Sequence, residues 1–305
     1  MRIVSITSNT KRPRSLLDSA GRFFALSLGE RAARWLEGFP WGDARSRLAF
    51  EGETPVGFVA AIPLAAGQQI AFLYLDGVAN TPANALLLLD GLSGEGDFLL
   101  LAPERLSVPA SEMTPLLMEK GWEAFHRQRH RLTSENWRPS AEPALTEPTL
   151  RQVEHSDLPA LAFLQATAYH GSRDALVYPP LAHPGFSRQM LEQWREGRFG
   201  KALSEASVLT TVPGSGVGGF VLSTEIAEKT AFIVTLAVSP RHRGRGLARQ
   251  LMSRAITACF EAGYSTVELT VSSDNHAALD LYESLGFRRI AEETVYRQDS
   301  SHPAP

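Results

Sequence analysis

Residues 231–258 read AFIVTLAVSPRHRGRGLARQLMSRAITA, and this stretch decides the fold. Phe232 to Val238 is a run of β-branched and apolar residues with the length and composition of a buried strand. Pro240 ends it, and Arg241-His242-Arg243-Gly244-Arg245-Gly246 follows. Leu247, Leu251, Ala255 and Ile256 then recur at helical spacing. The stretch predicts strand, glycine-rich turn, helix. The first amides of a helix lack intrahelical partners and lie at the positive end of its dipole, so such a turn suits an anion. Gly244 and Gly246 put no Cβ between a ligand and the backbone. Arg241, Arg243, Arg245 and Arg249 add positive charge. The turn reads as a phosphate cradle.

Two common phosphate loops are excluded. A nucleoside-triphosphate loop needs Lys followed by Ser or Thr, and a dinucleotide loop needs a third glycine. Neither is present after Gly244. Gly214-Ser215-Gly216-Val217-Gly218-Gly219 does spell GxGxxG, but Phe220-Val221-Leu222 follows as strand where a helix would be required. Pro213 to Gly216 therefore reads as a hairpin turn. Further on, Thr266 to Val271 alternates as a strand. Ser272-Ser273-Asp274-Asn275 opens a helix whose apolar stripe is Ala278, Leu281, Tyr282 and Leu285, stopped by Gly286.

Arg241-x-x-Gly244-x-Gly246 resembles the R/Q-x-x-G-x-G/A signature of the GNAT N-acetyltransferase superfamily. Asn275 to Phe287 is similar to its second signature, in the right order. The resemblance implies that Arg241, Arg243, Gly244, Arg245, Gly246, Leu247 and Ala248 hold the pyrophosphate of acetyl-CoA. It implies that backbone groups of Leu236, Ala237 and Val238 pair with the pantetheine arm and polarise the thioester. Asn275 is expected beside that arm, and reads equally as a helix cap. Tyr282 takes the place of the acid that protonates the leaving thiolate, and it also lies in the apolar stripe. The strand before the cradle carries no carboxylate, which departs from family members with a glutamate there. Glu225 is the candidate base. Glu228, His170, Asp174 and His183 are alternatives that read equally as surface residues. The loop 170–186, with Tyr178-Pro179-Pro180, is expected to select the acceptor. No metal is implied.

The chain also repeats itself. Phe58-Val59 parallels Phe220-Val221, Ala71-Phe72-Leu73 parallels Ala231-Phe232-Ile233, and Leu116 to Trp122 parallels Leu281 to Phe287. The fold expected is α/β (α+β): two GNAT-like domains, each a mixed, mostly antiparallel sheet flanked by helices. The first, 1–137, has no glycine pair or arginine in its turn Ala79 to Asn84 and carries Leu117 in place of Tyr282, so it is expected to be degenerate and silent. The proline-rich segment 138–148 is the expected linker, and 149–305 the active domain. A tandem chain with a silent first half distantly resembles mycothiol synthase.

The implied function is transfer of an acetyl group from acetyl-CoA to a primary amine of a small molecule or peptide. The alternative is a non-catalytic acyl-CoA sensor or regulatory protein. With a net charge of −3 in 305 residues, the chain gives no overall push toward nucleic acid or membrane. The run Phe125 to Arg131 is basic, and reads as a charged edge strand rather than a nucleic-acid surface. One cysteine fits a reducing compartment, so a cytoplasmic monomer or homodimer is expected.

Overall fold

A computed structural model describes residues 1–6, 10, 12–28, 30–37, 39, 41, 45–64, 67–90, 92, 98–139 and 149–299. The chain forms two units, Met1–Phe125 with Thr294–Pro305, and His126–Glu293. The expected linker falls almost wholly outside the described residues. The two units divide within strands rather than within that proline-rich segment.

The first unit comprises β1 (Arg2–Ser5), α1 (Arg14–Leu28), α2 (Glu30–Glu37), β2 (Arg47–Glu51), β3 (Thr54–Leu64), β4 (Gly67–Leu75), α3 (Pro82–Leu89), β5 (Phe98–Leu101) and α4 (Ala110–Glu119). β1 to β4 pair antiparallel in chain order, and β4 pairs parallel with β5. One face packs an aromatic cluster of Phe24, Phe58, Phe72 and Tyr74 under α1. The other buries Leu73, Leu75, Leu88 and Leu99 with α3 and α4.

Then come β6 (Glu123–Thr133), β7 (Thr149–Gln152), α5 (Leu158–Tyr169), α6 (Arg173–Val177), α7 (Pro184–Arg195), β8 (Lys201–Ala202), β9 (Val208–Val212), β10 (Gly216–Ala227), β11 (Thr230–Val238), α8 (Leu247–Glu261), β12 (Thr266–Ser272), α9 (His276–Ser284) and β13 (Arg288–Asp299). In the second unit the sheet runs β6-β12-β11-β10-β9-β7, with β8 on β10. The β11–β12 pair is parallel because α8 crosses between them; the others are antiparallel. α8 covers one face with Leu251, Met252, Ala255 and Ile256. α5 and α7 cover the other with Leu161, Leu191 and Trp194. The GxGxxG run falls as expected: Gly214 lies in the β9–β10 turn, and Gly216 already pairs with Val212. The loop 170–186 is more ordered than expected, since α6 and a 3-10 turn at Pro179–Ala182 lie in it.

The repeat holds in its hydrogen-bond register. Gly57, Phe58 and Val59 face Leu75, Tyr74 and Leu73, as Gly219, Phe220 and Val221 face Val238, Ala237 and Leu236. One pair further along, the register skips one residue in both units, Ala71 in the first and Val234 in the second. The parallel triplets match as well: Gly67 to Gln69 on Phe98 to Leu100, and Thr230 to Phe232 on Thr266 to Glu268. This corrects the alignment read from the sequence. Ala71-Phe72-Leu73 corresponds to Val234-Thr235-Leu236, three residues beyond Ala231-Phe232-Ile233. Two apolar strands look alike under such a slip, and only the shared bulge fixes it.

Cys259 is fully buried in α8, and burial pushes its thiol up to about 12. Thiolate is the reactive form. Labelling of native protein with a disulfide reagent at pH 8 should therefore proceed only at the rate of unfolding, and one equivalent should react promptly in denaturant.

Candidate active site

Two parallel strands set the site. β11 and β12 pair only at Thr230–Phe232 with Thr266–Glu268. Beyond that point β11 stays on β10 as far as Val238, and β12 stays on β6 as far as Ser272. The strands part at their carboxyl ends, where open α/β sheets bind ligands. Glu268 stands at the parting, its side chain 3% exposed, and receives Arg129 Nε at 2.8 Å and Arg131 Nε at 2.7 Å. A buried carboxylate needs such partners. β6 is therefore an interior strand and not the charged edge expected, and its arginines are committed to carboxylates: Arg127 also faces Asp174 at 3.8 Å.

The bulge at Val234 then changes which way β11 points. Ala231 and Ile233 belong to the core beneath α8. Past the bulge the alternation shifts by one, so Val234, Thr235 and Ala237 face α5 instead. Ser239 N–H donates to Gly218 O at 2.9 Å. By the alternation of a strand, Leu236 and Val238 turn their backbone groups away from β10, into the gap left by β12. The Tyr169 hydroxyl donates to Leu236 O at 3.3 Å and meets Thr235 Oγ1 at 3.2 Å.

The cradle follows directly. A 3-10 turn at Pro240–His242 leads to Gly244 (φ 75°) and Gly246 (φ 77°). Both occupy the left-handed region, which costs an L side chain about 1 kcal/mol or more. A Cβ built on either would meet nothing within 4 Å, so the backbone there faces open space. Gly246 caps α8 with no side-chain hydrogen bond. Beneath, Gly219 lets β10 approach α8 closely: a Cβ there would stand 3.0 Å from Leu251 Cδ1 and 2.9 Å from Ala237 O. Leu247 is buried and anchors the helix start, while Ala248 is half-buried. Arg241, Arg243 and Arg245 are exposed. Arg243 donates to Ala168 O at 2.7 Å and Arg249 to Ser284 Oγ at 2.7 Å, which ties the turn to α5 and the helix to α9.

Asn275 caps α9, its side chain accepting from Ala278 N–H at 3.3 Å. One helix length on, Tyr282 is 8% exposed and packs edge-on against Phe287. Burial first, then the neighbouring Tyr169 and Asp174, holds its hydroxyl well above the ordinary phenol range. Tyr169 is raised for the same leading reason, burial, with Asp174 next. The charge of Asp174 thus raises both phenols in addition to burial. Asp174 is fixed by Ser272 Oγ, which donates to its Oδ1 at 2.6 Å, and Arg127 also lies over the Tyr178 ring at 5.5 Å.

Glu225 is elsewhere. It pairs with Ala231 at the opposite end of β11, six residues from Ala237 or about 20 Å of strand. Its carboxylate accepts from the Tyr264 hydroxyl at 2.8 Å. Sequence reading missed Tyr169 and Arg127 and left Asp174 undistinguished, because the partners that gather them lie far off in the chain.

Comparison with known proteins agrees with this geometry. Residues 178–287 match the acetyltransferase (GNAT) family. Over 149 residues, 49% of this chain and 84% of the relative, the sequence is 29% identical to the ribosomal protein bS18-alanine N-acetyltransferase of Escherichia coli strain K12. It is 26% identical to the mycothiol acetyltransferase of Nocardiopsis dassonvillei, over 87% of this chain and 86% of that one. A solved tandem GNAT protein from the clavulanic acid biosynthesis pathway superposes with a TM-score of 0.61 at 13% identity, covering 100% of this chain and 99% of its own, and so shares the fold.

Phenol titration tests the burial of Tyr282. The ultraviolet ionisation curve of Tyr282→Phe should overlay that of the native chain through the ordinary phenol midpoint of about pH 10, because Tyr282 contributes only above it. A difference appearing at or below pH 10 contradicts the raised hydroxyl.

Proposed function

From the premise that this chain is an acyltransferase of the GNAT family with tandem GNAT architecture, we propose that its second unit transfers the acetyl group of acetyl-CoA to a primary amine of a small molecule or peptide. One observation carries the reading. The bulged end of β11 leads through a turn with two left-handed glycines into a helix start that has no side-chain cap, and the buried Tyr169 phenol holds the strand end.

Arg241, Arg245 and the amides at Gly244 to Ala248 bind the pyrophosphate, with Arg243 bracing the turn on α5. Backbone groups of Leu236 to Val238 orient the pantetheine arm and aim a donor at the thioester oxygen. Asn275 holds the start of α9, and so the placement of Tyr282. Acetyl-CoA, when bound, supplies the activated acyl group. Tyr282 keeps its proton throughout the neutral range, which suits a donor to a departing thiolate. Tyr169 cannot donate there without giving up Leu236 O, and is better read as the brace of the strand end.

For the acceptor side, Asp174 replaces Glu225. A carboxylate fixed by Ser272 and facing both phenols is placed to attract an ammonium group and to take its proton. By name, one relative is an alanine N-acetyltransferase of ribosomal protein bS18, which fits an amine acceptor, and the other is a mycothiol acetyltransferase.

Calorimetry with acetyl-CoA is the deciding experiment. The native chain should bind with micromolar affinity, and Arg241→Ala/Gly244→Ala should lose at least tenfold. No binding to the native chain overturns the proposal. In turnover with an amine, Tyr282→Phe should cut kcat by roughly 100-fold or more with acetyl-CoA affinity unchanged. Asp174→Asn should lower kcat/KM for the amine by about 10- to 100-fold, again without changing acetyl-CoA affinity. Binding without turnover over a broad amine panel would favour the sensor instead.

A further inference from the structure

The first unit repeats β11 but not what surrounds it. β5 stops at Leu101, and the chain turns through a 3-10 helix at Pro103–Arg105 and returns to β4. Leu106 bridges Leu73 in parallel. Ser107 N–H donates to Leu73 O at 2.9 Å, and Leu75 N–H donates to Ser107 Oγ at 2.8 Å. In the shared register, Leu73 and Leu75 are the counterparts of Leu236 and Val238. The correspondence extends one residue further: Asp76 N–H donates to Val56 O as Ser239 N–H does to Gly218 O.

The counterpart of the cradle is closed as well. A 3-10 turn at Gly77–Ala79 matches Pro240–His242. After it, Thr81 Oγ1 accepts from Asn84 N–H at 3.3 Å, and Pro82 removes a donor from the first turn of α3. Asn80 then locks the returning segment. It accepts from Ser107 Oγ at 3.0 Å and donates to Ser107 O at 3.3 Å. Leu106, Ser107 and Val108 are all buried.

We propose that the first unit is a GNAT-type fold whose acyl-CoA slot is filled by its own chain: residues 106–108 occupy the place of the pantetheine arm, and Thr81 and Pro82 occupy that of the pyrophosphate. The unit is silent because its site is built shut, beyond the loss of its glycines and arginines. The chain accordingly binds one acyl-CoA. The assignment rests on the reading of Leu236 to Val238 as the acyl-CoA strand, and the test separates the two.

Residue-resolved amide hydrogen exchange on the full chain, with and without saturating acetyl-CoA, makes the separation. In the free protein the Leu75 amide should exchange at least about tenfold more slowly than that of Val238, because its acceptor is already in place. Acetyl-CoA should slow Val238 and its neighbours and leave Leu73 to Asn84 and Leu106 to Val108 unchanged. Calorimetry should give one equivalent. Leu75 exchanging as fast as Val238 in the free protein, protection of Leu75 by acetyl-CoA, or a second equivalent bound would each overturn the filled slot. Failure of acetyl-CoA to protect Val238 would instead overturn the proposed function, leaving the comparison in the free protein to decide the slot.

Discussion

A pair of parallel strands that stay together for three residues and then part is the constraint on which the second unit depends. Had β11 and β12 remained paired beyond Phe232 and Glu268, the backbone of Leu236 to Val238 would be spent within the sheet. The parting leaves those groups to be satisfied by something else, since a buried strand end without partners is costly. Glu268 makes the divergence tolerable. Its two arginines on β6 hold β12 to its other neighbour at the point where it leaves β11.

The bulge and the glycines solve the remaining geometry. Val234 shifts the alternation so that Thr235 and Ala237 meet α5 while Leu236 and Val238 keep their apolar side chains against the α8 core. Gly219 brings α8 close beneath, and Gly244 and Gly246 bend the chain from strand into helix through the left-handed region. The strand end and the helix start thus converge on one place. Tyr169 reaches that place from α5, and burial raises both it and Tyr282 above the ordinary phenol range.

The two units show one backbone register used in two ways. Each carries the same bulge and the same parallel triplet. In the first, the demand for partners at the strand end is met from within by Ser107, which Asn80 holds in place. In the second, β12 runs on to Ser272, and a short turn leads into α9, so among the described residues no segment between β12 and α9 returns to β11. The returning segment satisfies the backbone of Leu73 and Leu75 from within the unit in a single step.

Much of this was legible in the chain itself. The strand-turn-helix at 231–258, the second motif around Tyr282, the tandem repeat and the decoy glycines at 214–219 all rest on local patterns of period and turn chemistry, which neighbouring residues fix by themselves. The bulge at Val234, the three-residue slip in the repeat, the siting of Glu225 at the far end of β11, the gathering of Asp174 with the two phenols, and the return of residues 106–108 to β4 were decided only by the tertiary structure. Each depends on a hydrogen-bond register or on a pairing between distant segments, and a sequence of interchangeable apolar residues carries no mark of which register its strands adopt.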